Sequence, residues 1–188
     1  WDSEFAGSMK EKLVQLHDFC AENYGKGTDK YGHPEKLMES QLNTIVMTAT
    51  EYMEQSMFRS AVQICYFELQ RKLRKYVKLT KNNPNKKLMQ KVIESQILLL
   101  APFTPFICEE IWSSIGKKGF ISVAQWPKYD ESKIDKKAEF ISAFADETRK
   151  DIIEVLKLAK IGKPAKITLF VSEKWKYQFM EKFKELSE

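Results

Sequence analysis

From Pro34 to Ile115 the chain contains no glycine, and this limits its fold more than any other feature. Glycine is the residue that turns, bulges and strand corners call on most, so its long absence describes a run of packed helices. The breakers inside the window are few and sharp: Asn82, Asn83, Pro84 and Asn85 form one turn, and Pro102 with Pro105 form another.

Between these marks the apolar residues recur at helical spacing. A first helix runs about Gly7 to Tyr24 through Leu13, Leu16, Phe19 and Cys20, and a loop with Gly25, Gly27, Gly32 and Pro34 follows. The second, about Glu35 to Glu54, carries Met38, Leu42, Ile45, Val46, Ala49, Tyr52 and Met53 on one stripe. Ser56 is expected to cap a third, unbroken helix over about Met57 to Thr80, with Val62, Cys65, Tyr66, Leu69, Leu73, Tyr76 and Val77 inward. The fourth spans about Asn85 to Ala101. Thr104 caps the fifth, with Pro105 at its first position, and Gly116 ends it. Phe120 to Trp126 reads as extended. A sixth helix covers about Ile134 to Lys160, Lys166 to Val171 alternates like a strand, and Glu173 to Leu186 reads as a helix. The fold class is therefore all-α, an up-and-down helical bundle with a short C-terminal β-α appendage. Residues 1–160 make the bundle, and 161–188 open a second domain, since a lone strand leaves its backbone groups unpaired. The chain starts at Trp1 rather than methionine, which suggests a piece of a longer protein.

Several function classes fall away. No apolar run approaches the ~20 residues that span a bilayer, so no membrane partner is expected. Cys20, Cys65 and Cys108 are far apart, and the histidines are His17 and His33 alone. Neither a disulfide framework nor a zinc site fits this spacing, and the chain reads as cytoplasmic. Buried thiols act as small hydrophobes, which is the reading for Cys65 and Cys108. No nucleotide-binding, nucleophile-elbow or zinc-protease motif is present. Glu109 and Glu110 sit early in a helix, where carboxylates favour the dipole; they are not an acid–base pair. Neither a catalytic residue nor a metal or cofactor site is assigned. Trp112 and Trp126 belong to the core.

Charge carries the remaining signal. Arg71, Lys72, Arg74, Lys75, Lys78, Lys81, Lys86, Lys87 and Lys91 fall in one window with no acidic residue among them, on a chain of net charge +5. Arg71, Arg74, Lys75 and Lys78 lie on the helix face opposite Leu69, Leu73 and Tyr76. A solvated face is one reading of such a run, but solvated faces mix signs. A single-sign patch on a near-neutral body favours a polyanion, RNA or DNA.

Residues Leu98 to Trp112, LLLAPFTPFICEEIW, and Gly119 to Asp130, GFISVAQWPKYD, resemble the anticodon-binding helical bundle of class I aminoacyl-tRNA synthetases for aliphatic amino acids. Leu42 and Asn43 fit that family's Leu-Asn position, and Arg59, Ala61, Val62 and Gln63 fit its Arg-x-Ala-Val-Gln pattern. Within the family, WDSEF at the start and DIIEVLKLAK with ITLFVSEKWK near the end resemble the archaeal and eukaryotic leucyl type; isoleucyl, valyl and methionyl enzymes are the alternatives, as is a protein-interaction bundle. Lys36 to Glu39 depart from it, lacking the tryptophan usual before Leu-Asn.

The resemblance implies a non-catalytic domain that docks tRNA, here tRNA(Leu), by its sugar-phosphate backbone. Its other partners are the catalytic and C-terminal domains of the same polypeptide. Those domains esterify leucine to the tRNA 3′ end with ATP and magnesium, while this fragment holds no cofactor. The expected contacts are Arg71, Arg74, Lys75 and Lys78, with Arg59, Lys86 and Lys87 beside them.

Overall fold

The computed structural model describes residues 3–171. Seven α-helices occupy most of them: α1 (Ser3–Asn23), α2 (His33–Glu54), α3 (Phe58–Val62), α4 (Leu69–Leu79), α5 (Lys86–Leu100), α6 (Pro105–Ser114) and α7 (Lys136–Leu158). The chain divides into two compact units, the first ending at Ser142 and the second beginning at Ala143, inside α7.

In the first unit α2 is the central rod. It packs on α3, α4 and α5, while α6 packs on α1 and α5. The faces that meet are the apolar stripes. Met38, Leu42, Val46 and Ala49 of α2, Leu69 and Leu73 of α4, Ile93 and Ile97 of α5 and Ile111 of α6 form one buried cluster with Leu16 and Cys20 of α1. Burying such side chains contributes about 1.5–3 kcal/mol each, which is what holds the bundle.

The expected third helix is continuous in path but not in kind. Gln63–Glu68 between α3 and α4 is a π-helical segment. Gln96 of α5, fully buried, donates from Nε2 to the Cys65 carbonyl of that segment at 3.5 Å and accepts from Gln70 Nε2 at 3.0 Å. π-turns of this kind collect at functional sites, and this one sets Tyr66 and Phe67 beside the lip of a cleft described below.

Helix ends decide where the next helix starts. Ser56 does not cap α3. It has φ +58° and lies just past the end of α2, where the Ser56 and Met57 N–H groups return to the Met53 and Tyr52 carbonyls at 3.1 and 2.8 Å. That is a Schellman closure, which prefers glycine because a side chain is disfavoured at positive φ. Ser56 is exposed; we expect Ser56→Gly to stabilise the bundle by about 0.5–1 kcal/mol, read as a higher Tm in thermal unfolding. The same closure follows α4, with Lys81 at φ +53°, and α6, with Gly116 at φ +79°. Thr104 and Pro105 begin α6 as expected, but the Thr104 hydroxyl turns back to the Leu100 carbonyl at 3.4 Å rather than capping the new helix. Asn85 is the side-chain cap of α5, accepting the Leu88 N–H at 2.9 Å.

Phe120–Trp126 is extended at Phe120 and again at Ala124 but is interrupted by a 3₁₀ turn, Ile121–Val123. The Glu109 carboxylate produces it by accepting the Ile121 and Ser122 N–H groups at 2.8 and 3.1 Å. The chain then returns to α2, where Trp126 Nε1 donates to Thr50 Oγ1 at 2.9 Å and the Asp130 N–H to buried Asn43 Oδ1 at 2.8 Å. The first turn of α7 docks on the same helix, with Glu139 accepting from Ser40 and Thr44 at 2.5 and 2.9 Å.

In the second unit, α7 runs on to Leu158, and residues 159–171 carry no regular element. Lys166–Val171 thus forms no strand. Among the described residues only an isolated bridge, Thr28 with Asn85, pairs backbone in the manner of a sheet, so none of them offers this segment a ladder. The helix expected at Glu173–Leu186 lies outside the described residues.

Candidate nucleic-acid interface

The basic window lies mostly on α4, and folding sorts its members. Arg71 is drawn to Glu68, donating from Nε at 2.9 Å and from a terminal nitrogen at 2.6 Å. Lys72 reaches the same carboxylate at 3.3 Å. The Arg71 hydrogen bonds, with the added charge of Lys72, hold the Glu68 carboxyl below the usual carboxylate range. Lys75 donates to Ser142 Oγ at 2.7 Å and braces the start of α7. Lys91 sits 3.6 Å from Glu39. These cations are partly spent on the protein itself.

Arg74 and Lys78 are placed differently. Both are exposed and line a cleft of about 490 Å³ between α1 and α4. Lys12 and Gln15 of α1 face them, Lys81 and Asn82 close one end, and Leu16, Phe19, Tyr66, Phe67, Leu73 and Val77 supply the apolar lining. Among the described residues no carboxylate lines this cleft, and the cations there make the field inside it positive. The Tyr66 hydroxyl ties the two walls, donating to the Lys12 carbonyl at 3.0 Å.

Of the residues expected from the sequence, then, the structure brings Arg74 and Lys78 together, leaves Arg71 and Lys75 on the same helix with other partners, and places Arg59, Lys86 and Lys87 exposed outside the cleft. Lys86 and Lys87 open α5, and Arg59 lies in the first turn of α3. Two cations of the cleft were missed. Lys81 was inside the basic window, and its positive φ could not be read without the turn geometry. Lys12 comes from a helix more than sixty positions away and carried no signal.

The groups set aside from chemistry have structural work. Desolvation alone would raise the Glu109 carboxyl, but the Ile121 and Ser122 N–H groups outweigh it and hold it below the usual range; a general acid needs the opposite shift. Burial pushes the Cys20 and Cys65 thiols up to about 12 and raises Cys108 as well, which leaves thiols where thiolates would be needed for reactivity. Trp112 and Trp126 pack against the core, and the Lys117 ammonium lies 5.6 Å from the Trp112 ring centre. Among the described residues no group of three metal-ligating side chains occurs, and no helix is long and apolar enough to cross a membrane.

Residues 35–169 match the family model for the anticodon-binding domain of tRNA ligase, and the chain belongs to that family. It is 34% identical to the leucine–tRNA ligase of Aeropyrum pernix over 96% of its own length and 32% identical to that of Methanococcoides burtonii over 98%. In both cases it spans 19% of the relative. Among solved structures it is similar to agnB2 LeuRS of Agrobacterium radiobacter K84, from a ternary complex with tRNA and LeuAMS. That likeness has a TM-score of 0.58 and 17% identity, covers 72% of this chain and 18% of the other, and concerns the fold.

Proposed function

We propose that this chain is the tRNA-docking domain of a leucine–tRNA ligase, and that it holds tRNA(Leu) through its sugar-phosphate backbone. The observation that carries this reading is the carboxylate-free basic cleft, with Arg74 and Lys78 exposed on it, in a member of the anticodon-binding family. In this reading Arg71 and Lys75, on the same helix, and Arg59, Lys86 and Lys87, exposed on α3 and α5, are further phosphate contacts. The bundle through residue 160 does the docking, and 161–188 lead into a further domain of the same polypeptide. The relatives, about five times as long, are named for ligating leucine to tRNA, which supports the leucyl assignment over the isoleucyl, valyl and methionyl ones. In such a parent, the catalytic domain would activate leucine with ATP and magnesium in the cytoplasm, and the bundle would set the distance from the tRNA body to the active site.

Backbone contacts position a nucleic acid without reading its sequence, so the signature is electrostatic. With about four phosphates neutralised, the logarithm of the binding constant should fall against the logarithm of salt concentration with a slope of about −3 to −4. Titration of the 188-residue chain with tRNA(Leu) at several salt concentrations measures it. A flat dependence, or no binding at low salt, would sink the reading in favour of a bundle that contacts other proteins.

A further inference from the structure

The cleft has more than charge. A surface that only tracked a phosphate backbone would need a row of cations on a convex or flat helix face. Here the cations ring a concavity whose lining is apolar and aromatic, with Phe19, Tyr66 and Phe67 in it. Its volume lies within the range of small-ligand sites, about 300–1,000 Å³, and suits one nucleotide better than a duplex. Tyr66 and Phe67 are set edge to face, ring centres 5.0 Å apart, both within the π-helical segment.

Strain marks the rim. Lys81 and Asn82 are consecutive non-glycine residues with φ +53° and +60°. Asparagine tolerates that region, whereas lysine is disfavoured there and glycine is the usual occupant of this closing position. Strain of this sort collects at ligand clamps. Lys81, a cation on the cleft, therefore stands where stability alone would choose glycine. Neither Arg74, Lys78 nor Lys81 has an ion-pair partner among the described residues.

We infer that the α1–α4 cleft takes one unpaired nucleotide of the docked RNA, its base against Phe19, Tyr66 and Phe67 and its flanking phosphates on Arg74, Lys78 and Lys81. This rests on the tRNA-docking reading and adds to it a preference for unstacked over fully paired RNA. Stacking on aromatic side chains accepts any base, since each has a π-face. Gln70 is held by Gln96, while the amides of Gln15 and Asn82 also line the cleft.

The test compares two RNAs of equal phosphate count, a stem carrying an unpaired loop and a fully paired duplex, binding to the 188-residue chain. The looped RNA should bind about tenfold tighter. Phe67→Ala should remove about 5- to 10-fold of the looped affinity, most of that preference, and leave the duplex affinity and its salt slope in place. Gln15→Trp fills the cleft from an exposed position on α1 and should abolish the same preference without disturbing the core. Lys81→Gly should raise Tm by about 2–4 °C, since the strain is relieved, while reducing the magnitude of the salt slope by about one. An unchanged preference for looped RNA in Gln15→Trp overturns the subsite, as does equal binding of both RNAs by the parent chain; in either case salt-dependent binding would remain and the docking reading would stand. Loss of all salt-dependent RNA binding in the parent chain would remove both.

Discussion

Replacing Gly27 by alanine should lower the stability of the bundle by about 2–4 kcal/mol, more than any other single-atom addition on its loops. Gly27 has φ +122°, and a Cβ there would lie 2.3 Å from the Pro84 carbonyl oxygen and 3.2 Å from the Lys86 nitrogen. Those neighbours are backbone and cannot swing aside as a side chain can. They are also the partners that fasten the two loops. The Thr28 N–H donates to the Pro84 carbonyl at 2.9 Å, the Lys86 N–H to the Thr28 carbonyl at 2.8 Å, and Asn85 Nδ2 to the Lys30 carbonyl at 2.9 Å. Tyr76 completes the knot, accepting the Asn85 N–H at 2.8 Å and donating to Glu35 at 3.3 Å. A methyl group wedged at Gly27 strains the backbone and breaks this set at once. Thermal unfolding should show a Tm lower by about 5–15 °C. Gly7 supplies the control: it lies within α1 with nothing within 4 Å of a Cβ, so Gly7→Ala should be neutral or stabilising by up to about 1 kcal/mol. Equal melting of the parent and Gly27→Ala would mean that the two loops are not held together as described.

How far the sequence reveals this architecture depends on where the determinants lie. The bounds of α2 and α5 come out within two residues because Pro34 and the Asn82–Asn85 turn are local signals, acting on their own backbone. The family was legible for the same reason, in contiguous motifs around Pro102, Pro105 and Trp126. What stayed hidden depends on distant partners. Ser56 looks like a cap in sequence, but the path of α2 makes it a helix end. The π-segment is stabilised from α5 by Gln96, thirty positions on, and leaves the apolar stripe nearly unchanged. The Ile121–Val123 turn exists because Glu109 reaches across to it. Lys166–Val171 alternates as strands do, yet a strand is defined by what it pairs with. In the sequence the basic face reads as one surface; hydrogen bonds donated by Arg71 to Glu68 and by Lys75 to Ser142 divide it, and Lys12, from α1, joins it.

That division decides which charge reversal tests the docking surface. Arg71→Glu would also break its pair with Glu68 and crowd two carboxylates, and Lys75→Glu would remove the bond to Ser142; either change mixes structure with binding. Arg74 and Lys78 are exposed and make no such bonds among the described residues, so reversing both should leave the bundle intact. At about 0.1 M salt each lost phosphate contact costs about eightfold through counterion release, and two cost about 60-fold before repulsion adds to the loss. The double change Arg74→Glu, Lys78→Glu should therefore weaken tRNA binding by about 100-fold and halve the salt slope, from about −3 to −4 toward −2. Circular dichroism and an unchanged Tm would establish that the fold persists. On the proposed docking role, the same pair of substitutions in a full-length leucine–tRNA ligase should raise the KM for tRNA and leave leucine activation by ATP untouched. Unchanged tRNA affinity in a folded double variant would exclude this face as the docking surface, and with it the basis for placing a nucleotide in the cleft.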